Sequence, residues 1–447
     1  MLKVFESFSG IGSTRMALRN IGIEFEVVGT SEVDKYAILC YDLIHCNDTD
    51  VPVKTKQEML RVMKQANIGY NFSTGANELP KDEETIKKLY DAHIRSHNYG
   101  DIRLIDETLL PDFDLFTYSF PCKNISIAGQ QMGLQEGSGT QSSLLWECTK
   151  IIKHKKPKYL LMENVKNLVS DKHIKNFKLW IDLLDKLGYN SYWRVLNGLN
   201  YGVPQNRERV IMVSILKTED RGFNMPLQSK LEAKTMLDII EDEVDDRYFE
   251  PSLYIETYSN NTNGIITHKA NIEVTVRKYD VDKEALRQML CKHLKDSIYT
   301  KRTLSEEIGL PYTLVEHWFR SSVKSFSIPL AEYWYRLKEL INIETDEYDL
   351  AVTTFITRRG VFDKAQRVYD VRGIAPTLTA SSCDEKILLE NGRIRHLTPR
   401  ETWRLMGYSD VDFDKVSHIV ESRLYERAGR GIVVPMLEEV FKELFKE

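Results

Sequence analysis

The sequence predicts an α/β protein with a doubly wound sheet and a second, smaller domain of mixed structure. Three observations lead to this prediction. Strand-like and helix-like segments alternate through the first half of the 447 residues, which is typical of doubly wound folds. A glycine-rich turn follows the first strand, and polar residues collect where later strands end. Because open α/β sheets bind ligands at the C-terminal ends of their strands, these residues mark a candidate site.

Each predicted element follows from its own residue pattern. The predicted strands are short runs rich in apolar and β-branched residues, and they span 2–8, 26–32, 114–120, 158–165 and 209–216. The turn after the first strand leads into an amphipathic helix. A further helix over 141–156 is predicted by apolar residues at helical spacing: Leu144, Leu145, Cys148, Ile151 and Ile152.

Two stretches depart from the alternation. Residues 48–98 stand where a βαβ unit needs only a short connection, and they predict a mostly helical insertion to which the sequence assigns no function. From about 217 to 365 the pattern is irregular, with a loop at 258–264 before a predicted strand. Between Gly264 and Leu330 there are 11 Lys and Arg against 8 Asp and Glu, within a chain of net charge −5. Any nucleic-acid surface must therefore be local.

Composition and cysteine spacing exclude several classes of protein. Hydrophobic residues make up 42% and charged residues 28% of the chain, which is ordinary for a globular protein. No apolar run approaches the roughly 18 residues of a membrane helix, and the first residues do not resemble a signal peptide. The cysteines are scattered, without a CxxC or a His pair at zinc spacing. We therefore expect a cytoplasmic protein with reduced thiols, no metal and no contact with a membrane.

The glycine turn, FSGIGS at 8–13, follows a strand and opens a helix. Its glycines allow a ligand to approach the backbone, and the helix N-terminus offers free N–H groups. Glu32, at the end of the next strand, is placed to accept both hydroxyls of a ribose. Since the full GxGxxG pattern is absent, the loop fits an adenosyl cofactor better than a dinucleotide. Alone, this pair of features is also compatible with a structural turn and a helix cap.

Cys122 follows Pro121 at the end of a predicted strand. An arbitrary cysteine is most often a small buried hydrophobe. Here, Glu163 ends a neighbouring strand, and the segment PQNRER supplies Arg207 and Arg209 before another. Cations favour the reactive thiolate, and a carboxylic acid can donate to a ring nitrogen. The set therefore favours a nucleophilic cysteine.

Taken together, these motifs resemble the DNA (cytosine-5)-methyltransferases of bacterial restriction-modification systems. The matching blocks occur in the family's order: VFESFSGIGSTRMAL, SEVDKYA, GDI, SFPCKNISIAG, LLMENVKNL, YGVPQNRERV, RGIAPTLTAS and RHLTPRETWRLMGY. Only 48–98 and about 220–365 fall outside them. The resemblance implies a Rossmann-like S-adenosylmethionine-dependent methyltransferase domain, with a smaller mixed target-recognition domain and double-stranded DNA as substrate.

The resemblance implies a role for each residue of the cysteine set. The Cys122 thiolate would add to C6 of a flipped cytosine, so that C5 can attack the methyl group. Glu163 would bond to N3 and the exocyclic amine, and Arg209 would hold O2. Gln205 and Arg207 would support the cysteine loop and nearby backbone. Loss of the C5 proton would then expel the cysteine.

S-adenosyl-L-methionine is the cofactor that the resemblance implies. Glu32 would bind its ribose, Asp101 of the GDI block its adenine amine, and Pro121 would lie beside its methionine end. The residues implied to line the cofactor are Phe8, Gly10, Ile11, Gly12, Glu32, Asp101, Pro121 and Arg430.

The resemblance also divides the chain into domains. Residues 1–219 would form the catalytic domain with the insertion at about 48–98, residues 220–365 the target-recognition domain, and residues 366–447 a return to the catalytic domain that completes the cofactor pocket. Residues 301–320 resemble a helix-turn-helix, with Gly309 in the turn. The alternative is a helical hairpin that only packs. The predicted DNA contacts are Ser126, Arg277, Lys301, Arg302, Arg320 and Lys324.

Two positions depart from the family pattern. Arg430 stands between two glycines where relatives carry Gly-Asn and a small residue, and Ser138 replaces an arginine that usually binds phosphate. An arginine beside the positive sulfonium of the cofactor needs an explanation. Arg430 turned outward is one explanation, and weaker cofactor binding is another. A third is a carboxylated cofactor analogue, which would yield 5-carboxymethylcytosine.

Two other functions remain open from the sequence. The same chemistry on tRNA is one, although tRNA enzymes of this family have a small recognition region. A non-catalytic DNA-binding regulator is the other, although a pure binder needs neither Cys122 nor Glu163. We expect a monomer, with a cognate restriction endonuclease as a candidate partner.

Overall fold

The computed structural model describes residues 1–46, 49–72, 74–121, 141–229, 231–249, 281–330, 333–349, 352, 367–380, 385–389 and 393–446. It also describes the backbone of three short strands between 265 and 357. Contacts divide the chain into two compact units. One unit comprises Met1–Tyr258 and Tyr369–Glu447, and the other comprises Ser259–Val368. Residues 220–258 therefore belong structurally to the first unit, whereas the sequence-based boundary lies at 220.

The α-helices of the described residues are α1 (Ser13–Asn20), α2 (Lys35–His45), α3 (Lys56–Gln65), α4 (Glu83–Arg95), α5 (Cys148–Lys155), α6 (Ile174–Lys186), α7 (Lys283–Asp296), α8 (Lys301–Ile308), α9 (Tyr312–His317), α10 (Trp334–Leu340), α11 (Pro399–Arg404), α12 (Asp410–Val416), α13 (Glu421–Arg430) and α14 (Val434–Leu444). Short 3₁₀ helices span Ile102–Leu104, Gln141–Glu147, Lys166–Val169, Gly198–Tyr201, Met236–Asp238 and Asp246–Tyr248.

The strands are β1 (Leu2–Ser7), β2 (Phe25–Ser31), β3 (Tyr70–Asn71), β4 (Ala76–Asn77), β5 (Leu115–Tyr118), β6 (Tyr159–Val165), β7 (Tyr189–Asn197), β8 (Gln205–Asn206), β9 (Glu208–Leu216), β10 (Ile265–Thr267), β11 (Thr275–Arg277), β12 (Phe355–Thr357), β13 (Arg367–Asp370), β14 (Ala375–Pro376), β15 (Lys386–Leu388) and β16 (Ile394–His396).

The centre of the first unit is a six-stranded sheet in the order β2-β1-β5-β6-β9-β7. The first four strands are parallel, and β9 runs antiparallel to both β6 and β7. The predicted α/β class is therefore confirmed. Sequence reasoning did not find β7. This strand lies at the sheet edge, and most of its side chains are only partly buried, so it lacks a clear apolar alternation.

The sheet is held by apolar residues that its strands bury against helices α5 and α6. Phe116, Leu160 and Met212 are buried in one cluster, with Ile151 of α5 and Trp180 of α6. Residues 141–147 form a 3₁₀ helix rather than the start of the predicted α-helix. This core fixes the strand ends that carry the site.

The insertion (residues 48–98) contains α3, a hairpin of β3 and β4, and α4. Its apolar residues Met63, Ile86 and Leu89 are fully buried, and Ile38 of α2 shares the same cluster. The mostly helical character expected for this segment is present in its described residues. The insertion is thus packed on α2 through a small core of its own.

The second unit has a separate core made by α7 to α10. Leu304, Val315 and Trp318 are buried in it. The helices α8 and α9 flank a turn at Gly309, which adopts a φ of 77° and caps α8. Glycine suits that left-handed conformation because it has no Cβ. The helix pair expected over 301–320 is therefore present.

The last part of the chain returns to the first unit. Strand β14 pairs with β8 so that Ala375 lies opposite Gln205. Helix α14 packs against α1, and Asn20 donates a hydrogen bond to Glu438 at 2.8 Å. The N-terminal and C-terminal blocks are thereby brought together.

Candidate active site

The register of the central sheet aligns the candidate residues at one edge. Ser7 is opposite both Ser31 and Tyr118, and Tyr118 is opposite Met162. The residues that come next therefore lie at the same level of this edge. They are Phe8, Glu32, Ser119 and Glu163, the last of which is still within β6. Arg209 lies opposite Val165 in the antiparallel strand β9, so it enters the sheet at this edge as well.

The loop after β1 is a tight turn of left-handed residues. Phe8, Gly10 and Gly12 have φ values of 54°, 56° and 80°. A Cβ on Gly12 would lie 2.4 Å from Nε2 of His45, whereas a Cβ on Gly10 would meet no atom within 4 Å. His45 is also hydrogen-bonded to the carbonyl of Ile11 at 2.9 Å. The loop is thus packed on α2 from one side and open at Gly10.

The carboxylate of Glu32 is held by backbone amides. One oxygen accepts from the N–H of Gly10 at 3.0 Å, and the other accepts from Val33 and Asp34, both at 2.8 Å. Burial, with the Asp34 carboxylate nearby, raises the pKa of Glu32, while the amide donors oppose that change. These bonds fix the carboxylate beside the glycine loop, where it can accept further donors.

Asp101 is buried, and its carboxylate has partners both within its own turn and in the insertion. Its carboxylate accepts from the backbone and side chain of Arg103 and from Nδ2 of Asn67 at 3.0 Å. Although burial acts in the opposite direction, the bonds from Arg103 and Asn67 lower the pKa of Asp101. The group is therefore an ionised acceptor near neutral pH.

Glu163 and Arg209 form a nearly buried ion pair. Nε of Arg209 lies 3.0 Å from one carboxylate oxygen of Glu163. The hydroxyl of Ser119 donates to the other oxygen at 2.5 Å. Next to them, Nδ2 of Asn164 donates to the carbonyl of Phe120 at 2.9 Å. The acid and the arginine implied by the resemblance are therefore adjacent, at the end of the strand that leads to Pro121.

Pro121 is the last described residue before the cysteine loop. Its carbonyl accepts a hydrogen bond from the hydroxyl of Ser142 at 2.9 Å, so both ends of the loop meet at this point. Cys122, Ser126 and Ser138 lie outside the described residues. Their roles stay predictions.

Gln205 and Arg207 bind the backbone of the C-terminal blocks. Nε2 of Gln205 donates to the carbonyl of Leu405 at 2.9 Å. The Arg207 guanidinium donates to the carbonyls of Leu378 at 3.1 Å, Gly429 at 2.9 Å and Gly431 at 2.8 Å. Within the described residues, both buried side chains bind backbone carbonyls around the site. We therefore treat Gln205 and Arg207 as positioning residues.

Arg430 has two carboxylate partners. It contacts Asp34 at 3.0 Å and Glu426 at 2.5 Å, and its side chain is 55% exposed. Although burial acts in the opposite direction, Arg427 and Arg430 lower the pKa of Asp34 to about 2. Two carboxylates therefore neutralise the charge of Arg430, and its role in cofactor choice stays a prediction.

The predicted DNA-contacting residues lie at the surface of the second unit or outside the described side chains. Arg320 is paired with Glu316 at 2.9 Å, and Arg302 lies over the ring of Tyr312 at 5.5 Å. Lys324 is exposed, and Lys301 is partly exposed. For Arg277 only the backbone, in β11, is described.

Sequence reasoning missed several residues that hold the site. His45, Asn67, Asn98 and Ser119 contact the glycine loop, Asp101, Glu32 and Glu163 respectively. Ser119 stands two positions before the Pro-Cys junction of a recognised block, so its position was a usable signal. The other three carry no sequence signal, because their partners lie more than thirty residues away.

The residues present fit an adenosyl cofactor. Gly10 leaves open space where a side chain would stand, so a ligand can approach the loop backbone. The hydroxyl of Ser7, at the end of β1, is buried without a partner among the described residues. Glu32 and Asp101 offer carboxylate acceptors suited to hydroxyls and an amine. No group of His, Cys, Asp and Glu suited to hold a metal ion occurs in the described ranges, and no helix there is long and apolar enough to cross a membrane.

Comparisons with known proteins give one consistent result. The model of the family described as C-5 cytosine-specific DNA methylase matches residues 67–446. Type II methyltransferase M2.ScrFI of Lactococcus lactis subsp. cremoris is 36% identical, covering 100% of this chain and 99% of the relative. Orphan methyltransferase M.SssI of Spiroplasma monobiae is 28% identical over 99% and 97% of the two chains. The crystal structure of the S. pombe Dnmt2 methyltransferase covers 100% of this chain and 99% of its own with a TM-score of 0.53 at 14% identity, which shows a similar fold.

Proposed function

The chain belongs to the C-5 cytosine-specific DNA methylase family, and we propose that its reaction takes place at the edge of the sheet where Glu163 and Arg209 meet. The protein is a sequence-specific DNA (cytosine-5)-methyltransferase that uses S-adenosylmethionine. The 3.0 Å ion pair between Glu163 and Arg209, placed beside the strand that leads to Cys122, is the observation that carries this assignment.

The proposed steps use residues of this chain. The Cys122 thiolate forms a bond to C6 of a flipped cytosine, while Glu163 hydrogen-bonds to N3 and the exocyclic amine and Arg209 holds O2. This addition makes C5 nucleophilic. The cofactor, when bound, supplies the methyl group. Loss of the C5 proton to water then breaks the bond between sulfur and C6 and restores the ring.

The cofactor would lie against the glycine loop. We assign its ribose hydroxyls to Glu32, its adenine amine to Asp101 and its methionine end to the surroundings of Pro121. The open space at Gly10 and the fixed carboxylate of Glu32 support this placement. Arg430 is excluded from direct contact in this proposal, because Asp34 and Glu426 already bind it.

Recognition of the target sequence is assigned to residues 220–365. The pair α8 and α9 supports this assignment, as does the excess of cations between Gly264 and Leu330, because phosphate binding needs clustered cations. We further propose that the protein acts as a monomer in the cytoplasm. A cognate restriction endonuclease is a candidate partner because one relative is named a Type II methyltransferase, although a second relative is named an orphan methyltransferase.

The test is covalent trapping combined with mapping. Plasmid DNA methylated by the protein, followed by base-resolution mapping, should show 5-methylcytosine in one sequence context. A duplex with 5-fluorocytosine at that context should form a covalent adduct at Cys122, because fluorine cannot leave as the C5 proton does. The variant Cys122→Ser should bind the duplex within about tenfold of wild type and form no adduct. An adduct on another cysteine would overturn the assignment.

A further inference from the structure

The insertion (residues 48–98) contacts both carboxylate positions of the proposed cofactor site through its backbone. The N–H of Gly69 donates to the carbonyl of Val33, directly after Glu32, at 2.7 Å. The carbonyl of Ala66 accepts a hydrogen bond from the N–H of Asp101 at 3.0 Å. One short segment of the insertion therefore touches the two turns that present the carboxylates.

Asn98 fixes the backbone of Glu32. Its Oδ1 accepts from the N–H of Glu32 at 2.9 Å and from the N–H of Gly100 at 3.0 Å. Its Nδ2 donates to the carbonyl of Glu32 at 2.9 Å. The side chain is 7% exposed. A single carboxamide thus connects the residue proposed to bind ribose with the segment that leads to Asp101.

Asn67 acts in the same way on the carboxylate of Asp101. Its Nδ2 donates to Asp101 at 3.0 Å. Arg103, the other partner of Asp101, lies over the rings of Tyr70 and Phe72 at 4.9 and 5.1 Å, and both aromatic residues belong to the insertion. The insertion therefore supports Asp101 directly and through Arg103.

The insertion is anchored firmly enough to transmit this placement. Met63, Ile86 and Leu89 are buried together with Ile38 of α2. Helix α2 begins directly after Asp34, whose side chain caps it. Side chains that pack in such a core are held in defined positions, so asparagines anchored on it have little freedom to move.

We propose that the insertion is a positioning element for the cofactor, which acts through Asn98 and Asn67 to hold Glu32 and Asp101 in a fixed relation. This inference rests on the proposed function, in which the two carboxylates bind the ribose and the adenine of one rigid nucleoside. Because both contacts must form at once, a shift of one carboxylate relative to the other weakens binding without changing the reacting groups.

Two variants of the full-length protein test the role. Asn67→Gly removes the side chain at a residue with a φ of 57°, which glycine adopts without strain. Asn98→Ala removes the carboxamide from the Glu32 backbone. Each should weaken the calorimetric Kd for S-adenosylmethionine, measured without DNA, by about tenfold. The KM for the cofactor should rise by the same factor, whereas kcat at saturating cofactor and the Kd for duplex DNA should stay within about twofold.

Asn190→Ala is the matched control. Asn190 also uses Nδ2 to bind a carboxylate, that of Asp220 at 2.6 Å, but it lies in β7 at the opposite edge of the sheet. This variant should leave the Kd for S-adenosylmethionine unchanged. Thermal unfolding of all three variants separates a local change in affinity from a general loss of structure.

A reference variant separates failure of this inference from failure of the proposed function. Glu32→Gln should weaken cofactor binding if the site is assigned correctly. If Glu32→Gln weakens binding while Asn67→Gly and Asn98→Ala leave it unchanged, the insertion is only structural and the inference is wrong. If Glu32→Gln and Asp101→Asn both leave binding unchanged, the assignment of the cofactor site itself is wrong.

Discussion

The sheet edge of the first unit and the helix pair of the second unit hold their predicted functional residues in different ways. At the sheet edge, Glu163 and Arg207 are buried and Glu32 is partly buried. Each has two or more polar partners. Directly after the helix pair, Arg320 has a local carboxylate partner and Lys324 is exposed. Catalytic contacts need fixed geometry, whereas phosphate contacts depend mainly on charge. Substitutions in the two regions should therefore differ in kind.

The largest effect should come from the acid of the sheet edge. Glu163→Gln keeps the shape of the side chain, but it removes the acid that hydrogen-bonds to N3 of the cytosine. It also removes the charge that pairs with Arg209. We expect kcat to fall by about 10²–10³ at every salt concentration, with duplex binding little changed. Single-turnover methylation measures the effect. A loss that appears only as weaker DNA binding would place Glu163 with the recognition residues instead.

A substitution of Arg207 should act on stability as well as on turnover. Arg207→Met leaves the carbonyls of Leu378, Gly429 and Gly431 without this donor. We expect the free energy of unfolding to fall by about 3 kcal/mol, from roughly 1 kcal/mol for each lost bond. Urea denaturation measures this free energy, with Arg194→Met as control, since Arg194 is an exposed arginine in β7 of the central sheet. Normal stability with lost activity would show that Arg207 acts on the substrate directly.

Substitutions of the cations that follow the helix pair should change the salt dependence of DNA binding and leave kcat intact. Lys324→Ala should reduce the slope of log K against log salt by about one unit if the residue binds a phosphate. Arg320→Ala should have a smaller effect, because Glu316 already neutralises Arg320. Lys186→Ala, on α6 of the first unit, is the control. Unchanged slopes in both variants would favour the alternative that the helix pair only packs.

A weaker effect is expected on the pH dependence of stability. Burial, followed by repulsion from Arg15, lowers the pKa of His45 from 6.5 to about 3; Arg19 and Asp412 also face the ring. Since the folded pKa is depressed, the neutral imidazole contributes fully above pH 6.5, and its contribution is lost as the pH falls toward 3. The free energy of unfolding therefore falls by about 1.4 kcal/mol for each pH unit in this range.

Substitution of His45 isolates this slope. In His45→Gln the side chain retains an amide donor for the Ile11 carbonyl but does not titrate. The free energy of unfolding should therefore fall less steeply with decreasing pH than in wild type, by the contribution of one proton. Denaturant titrations between pH 7 and pH 4 check it, with the exposed His154→Gln as control. Equal slopes for wild type and His45→Gln would mean that the ring is accessible to solvent.

The smallest effect is expected at the departure from the family pattern. Arg430→Asn removes a half-exposed arginine from Asp34 and Glu426, and exposed ion pairs contribute about 0–1 kcal/mol. The Kd for S-adenosylmethionine should change less than threefold. The preference for S-adenosylmethionine over a carboxylated analogue should not change. A reversed preference would revive the idea that Arg430 binds an anion on the cofactor.

Local patterns explain what could be predicted. The glycines at 10 and 12 follow from backbone sterics, and the apolar spacing around Gly309 follows from periodic burial. The acid at 32 is predicted from its place at the end of a strand. Such features are visible in a single sequence. The order of the family blocks added the identity of the acid near the end of β6 and of the arginine at the start of β9. The fold class and the candidate residues therefore came from sequence alone.

Only the tertiary structure decided which distant residues meet. Asp34 and Arg430 are 396 positions apart, yet they share an ion pair, and Asn98 reaches the backbone of Glu32 from the end of an insertion without an assigned role. Such contacts are set by how the chain closes on itself, and no local periodicity encodes that closure. The sequence by itself thus determined which chemical groups the protein carries, whereas the packing of α2, the insertion and α13 determined what holds those groups in place.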